Sequence, residues 1–388
     1  MVNSVARFPV RWMVAAVSSA AAVALVLVGV ALLRDGGAGG GPADEESPAQ
    51  VLPVDVPAVP PSLGVSWLEA IEEADEGEPL PESGPVGAAA MVYRLCEECA
   101  TGLLMADGRR FSLPEPDFAL LPHYSVSPDG RWLAARDGAA GWVRDLTGST
   151  VYEVDEATGQ GLVPWVWGVD SRRIVFGDVD LTGGEAQALR YLLVDLADGS
   201  VAEVPAKPGR EMVGLLGSGH LVALASAVRS PAPVTSLEVE LWDSTGAVVH
   251  GFTVEPGEWL QRGETLASAG TFTPYLTHLF VSPDGQGLRL AVFGSDTPSL
   301  SILEVDLDGQ VRSRVEVPEE GPMGWRLLGQ VDGELVVAIS RTDLSTGTHY
   351  FRVFAVDGGS LRELTTLEGD PGIVARVAGT GYYGGASS

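Results

Sequence analysis

Cys96 and Cys99 stand three residues apart with Glu97 and Glu98 between them, and the chain has no other cysteine. A dithiol redox couple relies on a lowered thiol pKa, commonly at a helix N-terminus; two carboxylates in an expected β-turn disfavour the thiolate. Zinc would need a second ligand pair, which two cysteines do not supply. The pair is therefore expected as a small structural disulfide, with redox chemistry and free thiols as the other readings.

Asp178-Val179-Asp180-Leu181-Thr182-Gly183 opens like a calcium loop, with oxygen donors at positions one, three and five and glycine at six. The twelfth position is Leu189, where such a loop needs a bidentate Glu, so a polar hairpin turn is the better reading even with Glu185 nearby. His123 and His278 each precede by four residues the serine of a Ser-Pro-Asp-Gly motif, at Ser127 and Ser282. Tyr124 follows the first histidine, Tyr275 precedes the second, and Trp165 and Trp167 occupy the same region of a weaker copy. These six residues fall on expected innermost strands, where they either form an aromatic and imidazole ligand mouth or pack as core, the reading we favour. No GxSxG elbow and no HExxH occurs. No motif calls for a metal or a cofactor, and the abundant carboxylates cannot be paired across a cleft from spacing alone.

The elements that must position these residues are short strands. From about residue 88 onward an apolar run, an Asp/Gly turn and an alternating run recur, and no apolar pattern holds helical spacing. The turn glycines sit at 108, 148, 199, 246, 309 and 358, giving gaps of 40, 51, 47, 63 and 49 residues. One four-stranded blade fits each gap, which predicts an all-β, six-bladed propeller; the 63-residue gap leaves room for a seventh blade as the alternative. Leu237, Val239 and Leu241 alternate with Glu238, Glu240 and Trp242, as expected of a strand buried on one face.

Val126-Ser127-Pro128-Asp129-Gly130-Arg131-Trp132-Leu133-Ala134 returns as Val281-Ser282-Pro283-Asp284-Gly285-Gln286-Gly287-Leu288-Arg289-Leu290-Ala291, and weakly at Gly168–Phe176. This resembles the WD40-like, TolB-type propeller repeat, here in a membrane-anchored form of high-GC, actinobacterial type. The resemblance implies a Ser-Pro-Asp-Gly turn between the first two strands of a blade and an extracytoplasmic binding platform. The first repeat offers three strands of its own, so Gly372–Gly379 is expected to complete it as the innermost strand.

Before the strands lie three further segments. Residues 12–33 are uncharged and apolar between Arg7 and Arg11 on one side and Arg34 on the other. As a helix they reach about 33 Å, enough to cross a bilayer, and no basic residue follows Arg34 until Arg94. This predicts a single transmembrane helix, a short cytoplasmic tail at 1–11 and the remainder outside the plasma membrane. Residues 35–87 are expected as an acidic, Pro/Gly-rich disordered linker. Its one interruption, Ser66–Glu73, is read as a helical turn docked on the propeller, or else as a short partner-binding helix. The propeller then takes 88–388.

With 52 acidic and 24 basic residues the net charge is -28, which excludes nucleic acid as a partner. The expected function is a non-catalytic binding or scaffold module for a protein, peptide or envelope glycan. The alternatives are an extracytoplasmic polysaccharide hydrolase or lyase and a sensory accessory of a membrane signalling complex.

Overall fold

Apolar runs broken every five to ten residues by Gly, Asp and Pro form strands that pair with their nearest neighbours. The computed structural model describes residue 71 and residues 77–379, except 97, 115–123, 155–160, 181–186, 226–235, 263, 267–278, 295–299, 318–324, 332–333, 344, 346, 358–359 and 370–373. The expected transmembrane helix at 12–33 and most of Ser66–Glu73 lie outside the described residues. Among the described residues no helix is long and apolar enough to cross a membrane.

In chain order the strands are β1 (Glu78–Pro79), β2 (Ala89–Arg94), β3 (Thr101–Met105) and β4 (Arg110–Leu113), then β5 (Tyr124–Val126), β6 (Trp132–Asp137), β7 (Ala140–Asp145) and β8 (Val151–Val154). They continue as β9 (Leu162–Trp167), β10 (Arg173–Asp180), β11 (Gln187–Asp195) and β12 (Val201–Pro205), followed by β13 (Arg210–Leu215), β14 (Leu221–Ala225), β15 (Leu237–Trp242) and β16 (Val248–Val254). The last are β17 (Glu264–Thr265), β18 (Leu279–Val281), β19 (Gly287–Gly294), β20 (Leu300–Asp306), β21 (Val311–Val317), β22 (Trp325–Val331), β23 (Glu334–Thr342), β24 (His349–Asp357), β25 (Ser360–Gly369) and β26 (Val374–Val377). They make six sheets, antiparallel except for the pairing of β1, which are the blades of a six-bladed β-propeller.

Burial falls from the inner to the outer strand of a blade. All six residues of β9 are buried, whereas four of the five residues of β12 are exposed. Hydrophobic clusters lie between successive blades, so each blade is held on both faces.

The six Asp/Gly turns occupy one position, between the third and fourth strands, once β26 is counted as the first strand of blade 1. β26 pairs antiparallel with β2, Met91 opposite Val377 and Arg94 opposite Val374, and it lies beside β22 of blade 6. Among its described residues the long stretch after β16 forms no seventh blade. It folds as a 3-10 turn at Gly257–Trp259 and a short strand, β17, that pairs with the far end of β19, Glu264 opposite Gly294. Blade 5 gains a strand where an additional sheet had been the alternative.

Residues 77–87, expected as linker, pair with the blades, and residue 71, in the segment expected as a docked helical turn, meets the propeller through a β-bridge. Ile71 makes a parallel bridge to Leu367 in blade 6, and β1 pairs in parallel with the outer strand β4. Their few apolar side chains and unpaired backbone find partners on exposed blade edges.

Candidate functional site

Antiparallel pairing places alternate connections on opposite faces of the ring. On one face the turns, such as 127–131, 168–172, 243–247 and 307–310, are two to five residues long. The other face carries the longer connections, among them 95–100, 114–123, 226–236 and 255–278. His123, Tyr275 and His278 lie outside the described residues.

The short turns saturate their own polar groups. Ser127 Oγ donates to Asp129 Oδ1 at 2.6 Å and accepts the Trp132 N–H at 2.9 Å. In blade 5 Ser282 Oγ donates to Asp284 Oδ1 at 2.5 Å and accepts the Gly287 N–H at 2.8 Å. Such turns are closed structural units with few groups left over for a ligand.

The described members of the proposed mouth are packed between blades. Tyr124 is buried, its hydroxyl donates to Pro114 O at 2.8 Å, and its ring meets Trp142 edge-on at 6.5 Å. Burial pushes the phenol up to about 12, with Asp137 adding to the shift. Trp165 donates from Nε1 to Met212 O of blade 4 at 2.8 Å and stands edge-on to Tyr191. Trp167 donates instead to Ser125 Oγ of blade 2 at 2.9 Å.

Residues two apart on a regular strand share a face, yet these two tryptophans point to opposite neighbours. The cause is a bulge: Val175 pairs with Val166 and Phe176 with Pro164, which leaves Trp165 as the extra residue. Blade 3 is thereby bonded to both adjacent blades by indole N–H groups.

Cys96 and Cys99 are joined by a disulfide in the β2–β3 connection, where the Cys99 N–H donates to Cys96 O across the turn. Cys99 packs on the core between blades 6 and 1. Asp178 and Asp180 lie at the end of β10. The Asp178 side chain is wholly buried and accepts from Arg190 Nε at 3.1 Å. A cation there would have to displace an arginine already in place. Among the described residues no group of three or more His, Cys, Asp or Glu is placed to hold a metal.

Sequence reading missed the ion pairs where strands meet the long-connection face. Arg190 bridges Asp178 and Glu203, and Arg210 Nε donates to Glu240 Oε1 at 2.8 Å. Arg136 is buried and donates from Nε to Gly138 O at 2.7 Å, its pKa lowered by burial. A Cβ at Gly161 would fall 2.8 Å from the Arg136 guanidinium carbon, so glycine lets the chain cross over it. The available signal was cross-strand register, which sets Arg190 opposite Asp178.

No family model matches the sequence, and no curated protein matches it. Solved structures with a similar fold include oligogalacturonate lyase from Vibrio parahaemolyticus, at 13% identity over 74% of this chain and 86% of that one, with a TM-score of 0.40. Oligopeptidase B from Leishmania major matches at 12% identity over 72% of this chain and 49% of that one, TM-score 0.38. The β-propeller domain of the Trilobed protease from Pyrococcus furiosus matches at 11% identity over 64% and 84%, TM-score 0.33.

Proposed function

We propose that this propeller is an extracytoplasmic, membrane-anchored binding or scaffold module that holds a protein, peptide or envelope glycan without transforming it. The observation that carries the reading is the inequality of its two faces. The described strand ends on one face are joined by two to five residues, while on the opposite face, beside short links at 138–139 and 206–209, consecutive strand ends are as far apart in sequence as Ala225 and Leu237. Long connections on a rigid frame are where recognition residues accumulate. The apolar run at 12–33 and its flanking arginines support the anchor and its orientation. The repeated Ser-Pro-Asp-Gly turns support the WD40-like, TolB-type assignment.

The test places a photo-crosslinking residue singly at Ser230, in a long connection, and at Ser244, in a short turn, of the intact protein in its native membrane. Adducts from Ser230 and none from Ser244 are expected. Equal yields from both positions, or adducts from Ser244 alone, overturn the reading. New reducing or unsaturated ends on envelope polysaccharide incubated with the protein would replace binding by catalysis.

A further inference from the structure

We propose that the segment around Ile71 and β1 is an outer latch on the closing seam of the ring, so that both ends of the chain shut it. The seam is the junction where blade 1 is assembled from the two ends: β2–β4 from the start and β26 from the finish, joined by a four-residue pairing. Strand β26 closes the inner side, and the latch crosses the outer side.

Ile71 sits in a segment dominated by acidic residues, Gly and Pro, yet it is only 1% exposed. Its N–H donates to Thr366 O at 2.8 Å and its carbonyl accepts the Glu368 N–H at 2.9 Å, bracketing Leu367 on β25. Its side chain belongs to one cluster with Phe351 and Leu367 of blade 6, Tyr93 and Leu95 of β2 and the turn after it, and Val377 of β26. That cluster is the seam core itself. A residue that merely covered an edge strand would belong to a cluster drawn from one blade, whereas the cluster that holds Ile71 draws on both blades and on the closing strand.

At the outer edge of blade 1 the Leu80 N–H donates to Ser112 O at 2.9 Å, beyond β1. It then reaches blade 2, where the Val86 and Gly87 N–H groups both donate to Leu146 O, at 2.7 and 3.0 Å. Arg144, buried in blade 2, donates to Pro81 O and Gly84 O. The latch therefore carries backbone bonds to three successive blades and ends in β2, the strand that β26 must hold. Local opening of the ring at β2–β26 has to break the latch as well.

The test is hydrogen–deuterium exchange on the full chain with Ile71→Asp, and with Ile71→Ala should the aspartate variant not fold. Expected is a rise of about tenfold or more in exchange at Glu368 together with 91–94 and 374–377, with β10 and β11 of blade 3 unchanged. A rise confined to β25 would make Ile71 an edge cover only and overturn the latch. A uniform rise across all blades, or no change in the alanine variant, would overturn it equally.

Discussion

The backbone N–H of Asp129, in the first turn of blade 2, donates to Ser171 Oγ, in the matching turn of blade 3, at 3.0 Å. Ser171 takes the place that Gly130 and Gly285 hold in their turns, with φ of 57° against 69° and 68°. Among the described residues it is the one non-glycine with positive φ. The weak copy of the repeated motif thus departs from glycine at a position where glycine is least strained, and the side chain that causes the strain ties two blades together.

Ser171→Ala keeps the strain and removes the bond, and is expected to cost about 1–2 kcal/mol in a denaturant titration. Ser171→Gly loses the same bond and relieves the backbone, so its loss should be smaller. Equal losses would show that the left-handed backbone contributes nothing to the balance.

Trp167→Phe removes the indole N–H that reaches Ser125 Oγ across the blade 2–3 interface. A fall of about 1–3 kcal/mol in unfolding free energy is expected, because a buried acceptor loses its donor and a smaller ring leaves space. Unchanged stability would contradict the packing role and return Trp167 to the ligand mouth.

Gly177→Ala tests the other tryptophan. A Cβ at 177 would lie 2.5 Å from Trp165 Cε3, a separation that packed side chains do not adopt. The indole cannot retreat without losing its bond to Met212 O, so a destabilisation of about 1–3 kcal/mol is expected by thermal unfolding. A neutral result would mean that the interface between blades 3 and 4 is loosely packed.

Acid and alkali should act on two separate places. Burial alone would raise the Glu264 carboxyl, but the paired bonds from Arg314 and the Gln261 N–H hold it below its ordinary 4.5. A depressed folded value stabilises above the unfolded one, so this contribution is complete above about pH 4.5 and is lost as pH falls through the folded value. Glu264→Gln should flatten the acid limb of a stability–pH curve.

Tyr124 is the opposite case: its folded value is raised from 10 to about 12. Its contribution is complete below pH 10 and is lost as pH climbs toward 12. Ultraviolet titration of the native protein should show a late phenolate component that Tyr124→Phe removes. The same late amplitude in the variant would assign it to another tyrosine.

Turn position and blade count were readable because they are local. An Asp/Gly pair sets its own hairpin wherever it lies, and Ser127 and Ser282 close their turns with groups two and five residues away. The candidate site was less readable. Trp165 and Trp167 look alike in a pattern, and one bulged residue, which no local rule announces, sends them to different blades.

What the amino-acid order determined by itself was therefore the repeating unit: apolar strands for the interior, alternating strands for the rim, and turns whose side chains satisfy their own backbone. Only the tertiary structure decided which charges meet, which aromatic rings bridge blades, and where Ile71 goes. Ile71 and Leu367 are separated by nearly the whole folded chain, so the order of residues marks Ser66–Glu73 as a segment able to dock but not the strand on which Ile71 lands. Its burial follows from the edge of blade 6 and the seam core beside it, surfaces that exist only once the ring has closed.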